Sequence, residues 1–420
     1  DTKPDKNYIQ DYRCRISNIR KSEQSQEKSV ESKLPIAMSN AESEYADRVG
    51  GVTSVMFELT YNCSEMCIHC YNLGATRNNT EISERGNRNE MLLTDYIKVI
   101  DELYNQGLVK VCLSGGDPFS KQDVWEIIEY LYEKDIAIDV YTNGQRLIGK
   151  TEKLAEYYPR LVGISIYSGI AEEHDYITRV KGSWDKSVQV ISKLSDFAVP
   201  INIKCCVMKP NVNSYYSVSD IAKKYGAVMQ FEIAVMDSIS GDKCVSKYLR
   251  LSPDEYEIIL RDSNIPLYVG KEAPNFGGQK RPSDSRACGA GYNSFCITPE
   301  GNIIPCCSFH LSFGNAKKQP ISEIMKSETL KWWQSVSIAD YEECGKYDYC
   351  DYCNLCPGIN HSEHGSPIKA GENNCYLAKI RQSLAIKMMN GYDPLNGKSL
   401  IEVIKSLKSV KNTLKREISR

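Results

Sequence analysis

The sequence predicts an α/β protein built on a partial (β/α)6 barrel, followed by a small cysteine-rich domain and C-terminal helices. Three observations carry that prediction. Six short runs rich in β-branched residues alternate with amphipathic stretches between residues 52 and 235. The alternation stops after Leu251. Cysteines, 17 in 420 residues, then crowd the segment from Cys288 to Cys375.

The predicted strands are Val52–Leu59, Val109–Leu113, Ile136–Tyr141, Leu161–Tyr167, Ile201–Met208 and Met229–Val235. The predicted helices between them are Thr94–Asn105, Gln122–Glu133, Thr151–Tyr158, Lys186–Leu194 and Ser217–Tyr225. This alternation implies parallel pairing through right-handed crossovers, and six strands suit an open barrel better than a closed eight-stranded one. Ligands of such a sheet gather at the carboxyl ends of its strands. Residues 1–50 are polar, without a clear apolar period, and read as an N-terminal arm, disordered or an incomplete leader-binding segment. The barrel is expected over 51–250, a bridging segment over 251–287, the cysteine-rich domain over 288–380 and a helical segment over 381–420. In the last, Leu400, Ile404, Leu407, Leu414 and Ile418 repeat at helical spacing, and predict one helix to Arg420 with a solvated basic face.

A formal net charge of −2 excludes a global basic field for nucleic acid. No apolar run is long enough to span a bilayer. An odd number of cysteines in a chain this long, with no export signal in view, points to the cytoplasm and to metal ligands rather than disulfides. Cys112, Cys205 and Cys206 lie in strands and read as small buried hydrophobes, one of the last two facing the barrel interior.

Cys63, Cys67 and Cys70 form C-x3-C-x2-C just past the first strand. Three thiolates on one loop can hold three irons of a [4Fe–4S] cube and leave the fourth open. With His69 as a fourth ligand they could instead make a zinc knot. The second strand ends in Ser114-Gly115-Gly116-Asp117-Pro118, where paired glycines allow close approach of backbone to a ligand, or mark a plain strand-to-helix turn. Thr142 and Asn143 end the third strand, Ser165 lies on the fourth, and Arg179 follows in His174-Asp175-Tyr-Ile-Thr178-Arg179.

In that order along the chain, these motifs resemble the radical S-adenosylmethionine superfamily, whose fold is a partial TIM-like barrel. The resemblance implies a [4Fe–4S] cluster on Cys63, Cys67 and Cys70, the catalytic cysteines. It implies cofactor contacts at Tyr71, Gly115, Gly116, Asp117 (Glu in the usual GGEP element), Thr142, Asn143, Ser165 and Arg179. Arg179 would pair the methionine carboxylate, a surface salt bridge being the alternative.

The stretch Cys288-x12-Gly301-x4-Cys306, with a hairpin turning at Glu300-Gly301-Asn302, resembles the opening of the SPASM domain, which holds auxiliary clusters. Cys344, Cys350, Cys353, Cys356 and Cys375 resemble its closing half, although Tyr341 or Tyr347 stands where one alignment wants a cysteine. The implied metal ligands are Cys288, Cys306 and Cys356 for one auxiliary cluster, with Cys296, Cys307 or no fourth thiol, and Cys344, Cys350, Cys353 and Cys375 for a second. The expected cofactors are therefore S-adenosylmethionine and three [4Fe–4S] clusters.

The implied activity is that of an oxidoreductase that makes a 5′-deoxyadenosyl radical. It would abstract hydrogen from a ribosomally made peptide, leading to a thioether or carbon–carbon crosslink. The alternatives are a formylglycine-generating maturase of sulfatase type or a tetrapyrrole-modifying enzyme. Expected partners are a peptide or protein substrate, an electron donor such as flavodoxin or ferredoxin, and a separate leader-binding protein; no nucleic acid and no membrane are expected. Asp175, Lys204 and Glu232 are further residues that could face the cavity.

Overall fold

The computed structural model describes residues 7–21, 51–72, 89–238, 244–270 and 280–408. Six strands form where the alternation placed them: β1 (Ser54–Glu58), β2 (Lys110–Ser114), β3 (Ala137–Thr142), β4 (Leu161–Ser165), β5 (Ile201–Cys206) and β6 (Val228–Glu232). All neighbouring pairs among them are parallel. The helices that cover the sheet are α2 (Leu93–Tyr104), α3 (Val124–Glu133), α4 (Thr151–Glu156), α5 (Ala171–Thr178), α6 (Ser183–Asp196) and α7 (Val218–Tyr225). Short α5 had no sequence signal of its own beside α6, because its apolar residues are few.

Two expectations fail. The N-terminal segment is not simply a polar arm: Asn7–Lys21 is a helix, α1. Ile9, Tyr12 and Ile16 are buried against Ala137, and their i, i+3, i+7 spacing makes one apolar stripe. The Tyr12 hydroxyl donates to the Pro159 carbonyl at 2.8 Å, and Arg13 pairs with Asp135 at 2.7 Å. Charged neighbours outnumber this stripe and hid its period. The rest of the expected arm, 22–50, lies outside the described residues.

The cysteine-rich region, second, whose cysteine, glycine and tyrosine content leaves little room for a hydrophobic core on sequence grounds, has one. Its strands β7 (Ser294–Ile297), β8 (Asn302–Ile304) and β9 (Gly314–Asn315) extend the barrel sheet, which runs β6-β5-β4-β3-β2-β1-β7-β8-β9. β7 lies parallel to β1, so the barrel gains a seventh parallel strand from outside the alternating region. Phe295, Ile297, Phe309, Phe313, Leu330 and Trp333 are buried beside it, in the same apolar cluster as the barrel helices. After α8 (Cys244–Leu249) and α9 (Pro253–Ile259), the later helices are α10 (Ile321–Ile324), α11 (Glu328–Ser335), α12 (Pro357–His364), α13 (Glu372–Met389) and α14 (Leu400–Ser406). The expected C-terminal helix thus ends its described turn at Ser406; Leu414 and Ile418 lie outside the described residues. No helix among the described residues is long and apolar enough to cross a membrane.

Strand alternation gives the sheet two unlike faces. Val55, Phe57, Val111, Leu113, Ile138, Val140, Val162, Ile164, Ile203 and Cys205 join the core under the helices. The opposite, concave face carries Glu58, Cys112, Tyr141, Lys204 and Cys206, aligned by the register Glu58↔Ser114, Tyr141↔Gly163, Ser165↔Lys204 and Cys206↔Glu232. Polar and titratable side chains thus line the barrel's inner wall, the chamber, where the other face of the sheet is apolar.

Candidate active site

Cys63, Cys67 and Cys70 lie on the loop that leaves the carboxyl end of β1. That loop is tied to two other elements through its backbone. Gly116 N–H donates to the Thr60 carbonyl at 2.7 Å, and Asp117 N–H to that of Asn62 at 2.9 Å. Met66 and Ile68 donate to Thr178 and Ile177 at the end of α5, at 2.8 and 2.9 Å. Cys67 lies in the fields of Cys63 and Cys70, and Cys63 in that of Cys70; burial pushes Cys63 up to about 12 and Cys67 well above the ordinary thiol range. The Asn143 amide, at 3.3 Å, and the Glu65 N–H, at 3.4 Å, donate to the Cys63 sulfur. Desolvated thiols grouped in this way, with hydrogen-bond donors aimed at sulfur, suit a cationic iron centre that makes them thiolates. His69 packs edge-to-face on Tyr167, ring centroids 4.7 Å apart. Burial lowers His69 to about 4, as it does His174, whose ring stacks on Tyr167 at 5.5 Å.

The glycine pair lies tight against the cysteine loop. A Cβ on Gly115 would meet the Thr60 carbonyl oxygen at 2.4 Å, and one on Gly116 the Asn62 carbonyl oxygen at 2.4 Å. The backbone that must approach closely is therefore the cysteine loop itself. The Asp117 carboxylate is fully buried and accepts from Phe119 N–H (3.0 Å), the Thr142 hydroxyl (2.6 Å) and Asn143 N–H (3.0 Å). It latches the ends of β2 and β3 together. Asn143 is thereby aimed at Cys63 and Ser64.

Ser165 hydrogen-bonds the Tyr167 hydroxyl, which reaches the Cys67 sulfur at 3.9 Å. Arg179 is exposed in the left-handed C-cap of α5, φ 58°, next to the carbonyl that holds Met66. Asp175 closes the turn into α6 by accepting from Gly182 N–H, Trp184 N–H and the Ser183 hydroxyl, so it is spoken for. Glu232 caps its own strand end, accepting from Ile233 and Ala234 N–H at 2.8 Å each.

Tyr71 follows the last cysteine of the loop. Its hydroxyl is set between the Glu58 carboxyl and the Cys307 thiol on the concave wall. Burial, with Glu300 adding to it, pushes Glu58 up to about 8. Cys307 also shares the field of Cys112, Tyr141 and Lys204 across the chamber, whereas its neighbour Cys306 faces the fields of Cys356 and Cys288. Consecutive cysteines at the end of a strand thus point to two compartments. Cys296, on β7, is fully buried beside Glu58, Cys307 and Cys112. Cys344, Cys350, Cys353 and Cys375 line one cavity of about 730 Å³. Sequence reasoning missed Glu58, Tyr141 and Gly163; the one available signal was a charged residue at the inward position of an otherwise apolar strand.

The sequence profile of the radical SAM superfamily matches residues 57–213, and that of the SPASM iron–sulfur cluster-binding domain matches 288–357. This chain is a radical SAM–SPASM protein. It uses S-adenosylmethionine and [4Fe–4S] clusters, auxiliary ones included. Among curated relatives, the subtilosin biosynthesis protein AlbA of Bacillus subtilis (strain 168) is 27% identical over 344 residues, 78% of this chain and 71% of AlbA. The AdoMet-dependent heme synthase of Methanosarcina barkeri is 27% identical over 334 residues, 72% of this chain and 90% of the synthase. Among solved structures, anSMEcpe with bound AdoMet and Cp18Cys peptide has a TM-score of 0.60 at 18% identity, covering 83% of this chain and all of that one. Streptococcus suis SuiB bound to precursor peptide SuiA has a TM-score of 0.58 at 15% identity, covering 81% and 80%. These structural likenesses show the fold. The relatives of this radical SAM enzyme divide between peptide maturases and heme synthases.

Proposed function

We propose that this radical SAM–SPASM enzyme modifies a ribosomally made peptide, forming a thioether or carbon–carbon crosslink. The observation that carries it is the polar chamber on the concave face, opening beneath a cysteine loop whose backbone is already fixed. AlbA supports the peptide class, as does the mycofactocin maturase MftC of Mycobacterium tuberculosis (strain H37Rv), 25% identical over 312 residues. Tetrapyrrole modification is the second reading, favoured by the heme synthase match along 90% of that protein.

Cys63, Cys67 and Cys70 would hold the cluster that binds S-adenosylmethionine; together these supply the 5′-deoxyadenosyl radical that takes hydrogen from the substrate. Asn143, held by Asp117, donates to the Cys63 sulfur and favours its thiolate. Tyr167, packed against two neutral imidazoles, does the same for Cys67. Ser165 sits beside it at the rim, where a ribose hydroxyl could be met. Tyr71, Glu58 and Tyr141 line the substrate side, and the enclosing walls keep water from the radical carbon. Cys288, Cys306 and Cys356 would hold the first auxiliary cluster, and Cys344, Cys350, Cys353 and Cys375 the second. Cys307, turned to Tyr71, belongs with the chamber and not with the clusters.

Anaerobic reconstitution followed by iron, sulfide and 5′-deoxyadenosine assays tests this reading. About twelve irons per chain, with 5′-deoxyadenosine formed after dithionite and S-adenosylmethionine, is the expected result. A candidate precursor peptide that loses mass in hydrogen units decides for the peptide class. Decarboxylation of a coproporphyrin in its place decides for the second reading.

A further inference from the structure

Lys204 projects from β5 into the chamber, and the wall is shaped around it. Its ammonium lies 3.9 Å from the centroid of the Tyr141 ring and donates to the Gln230 side-chain oxygen at 2.8 Å. Gly163, between them on β4, has no side chain, and none would fit. A Cβ there would stand 2.7 Å from the Lys204 Cε and 2.8 Å from the Tyr141 Cδ1. A glycine in a parallel strand weakens the sheet unless something needs its space; here the lysine stem and the tyrosine ring fill it.

The lysine lacks the partner that such a position ordinarily supplies. Its charged surroundings are Asp139 and the thiols of Cys112 and Cys307. Asp139 is already engaged by Arg160, whose Nε donates to Oδ1 at 2.8 Å while Nη2 reaches Oδ2. Both oxygens of that carboxylate are thus turned to a guanidinium, and among the described residues no carboxylate lies within ion-pair distance of Lys204. Burial lowers the lysine's proton affinity, an unfavourable setting for a charge that has only an amide oxygen and a ring face as neighbours. An ammonium offers three donors, and the amide oxygen of Gln230 takes one.

We infer that Lys204 is the anion anchor of the substrate chamber: the substrate carries a carboxylate that enters the barrel and pairs with this ammonium over Tyr141. The inference rests on the reading of the barrel interior as the substrate chamber. A Glu or Asp side chain, a peptide C-terminus and a tetrapyrrole propionate all present this chemistry. Lys204 acts here as a positioning and specificity-determining residue, holding the target carbon by a group remote from it.

Binding to the reconstituted holoenzyme, measured by calorimetry in the presence of S-adenosylmethionine, tests it with two probe pairs. One is coproporphyrin III against its tetramethyl ester. The other is a peptide amide containing Glu against the same peptide with Gln. In at least one pair the acid should bind about 10- to 100-fold more tightly, the span of a hydrogen-bonded charge. Lys204→Met should erase that preference and Lys204→Arg restore most of it. Gly163→Ala, which displaces the lysine without removing it, should also erase it. The pair that responds names the carboxylate's source. Equal binding of acid and neutral probes in both pairs overturns the inference, and so does retention of the preference in Lys204→Met. A loss of S-adenosylmethionine affinity in Lys204→Met as large as the loss of acid preference also overturns it, since the lysine then serves the cofactor. Absence of 5′-deoxyadenosine from the wild-type enzyme would instead defeat the proposed function and leave the acid preference measurable.

Discussion

Two cysteine-bearing segments of this protein are built on opposite plans. The loop carrying Cys63, Cys67 and Cys70 is held by backbone hydrogen bonds that reach across the chain, to Gly116 and Asp117 after β2 and to Ile177 and Thr178 at the end of α5. In the run from Tyr341 to Cys353 the backbone–backbone bonds reach only three residues: Cys344 N–H to Tyr341, Cys350 to Tyr347 and Cys353 to Cys350; its ties to the rest of the chain run through side chains, the Arg381 guanidinium on the Tyr352 carbonyl and the buried Tyr341. Tyr347 is more than half exposed, and the four thiols around it line a cavity in place of a core. The first segment is shaped by its own backbone before metal arrives; the second, held by a few side chains from outside, leans more on metal. A site for a cofactor that must be bound and split repeatedly needs fixed geometry, whereas an electron-carrying cluster can organise its own loop.

The largest test of this contrast is removal of the first three thiols. The Cys63, Cys67, Cys70 triple alanine variant should lose about four irons and all 5′-deoxyadenosine formation, with the barrel's thermal transition close to wild type. A collapsed transition would mean that the loop's shape depends on metal after all. Iron chelation is the next test. Hydrogen exchange should then rise steeply over residues 341–353 while amides 54–68 keep their protection. Equal loss in both segments would erase the distinction.

A pair of glycines sharpens it at the level of single atoms. Gly116→Ala forces a Cβ against two backbone carbonyls of the cysteine loop, those of Asn62 and Tyr61 at 2.4 and 2.6 Å. Neither can move without breaking the clamp, so a cost of about 3 kcal/mol is expected, at the upper end for overpacking. Gly345, at φ 85°, has nothing within 4 Å of its missing Cβ, and its alanine variant should cost only about 1 kcal/mol for the left-handed backbone. Chemical denaturation of both variants decides the order.

The sequence made the barrel legible because strand and helix periods differ and alternate, and the six strands lie where those periods change. The three thiols of the first loop were legible from spacing alone. What spacing could not convey was direction. The missing Cβ of Gly116 leaves room for Asn62, and the Asp117 carboxylate holds Thr142 and Asn143, ties that the residue types do not announce. Cys306, expected as a cluster ligand, and Cys307, offered only as a possible fourth thiol of the same cluster, have different groups around them. The parallel pairing of β7 with β1 joins residues about 240 apart (Ser54 with Ser294), a contact with no local signature. The stripe of α1 was hidden by charge. Its partner, Ala137, is recognisable only once the sheet is closed.

A pH-dependent effect lies in the support beneath the cysteine loop. His174 is fully buried against Tyr167, with its Nδ1 accepting from the Tyr167 N–H at 3.2 Å, and burial lowers its proton affinity to about 4. An unfolded chain binds that proton near pH 6.5. Between these values the unfolded state holds more protons, so this histidine's contribution to stability is present above about pH 6.5 and declines as pH falls toward 4, by at most about 1.4 kcal/mol per pH unit. Glu58, raised to about 8, works the other way, because the folded state takes up its proton first and gains stability as pH falls through that value. Total stability against pH therefore mixes opposing slopes, and only a difference isolates the histidine. Denaturant midpoints of wild type and His174→Gln, followed from pH 7 to pH 5, should converge as pH falls. Parallel midpoints would mean that His174 keeps an ordinary proton affinity in the folded protein, and that the Tyr167 stack beneath Cys67 is open to water.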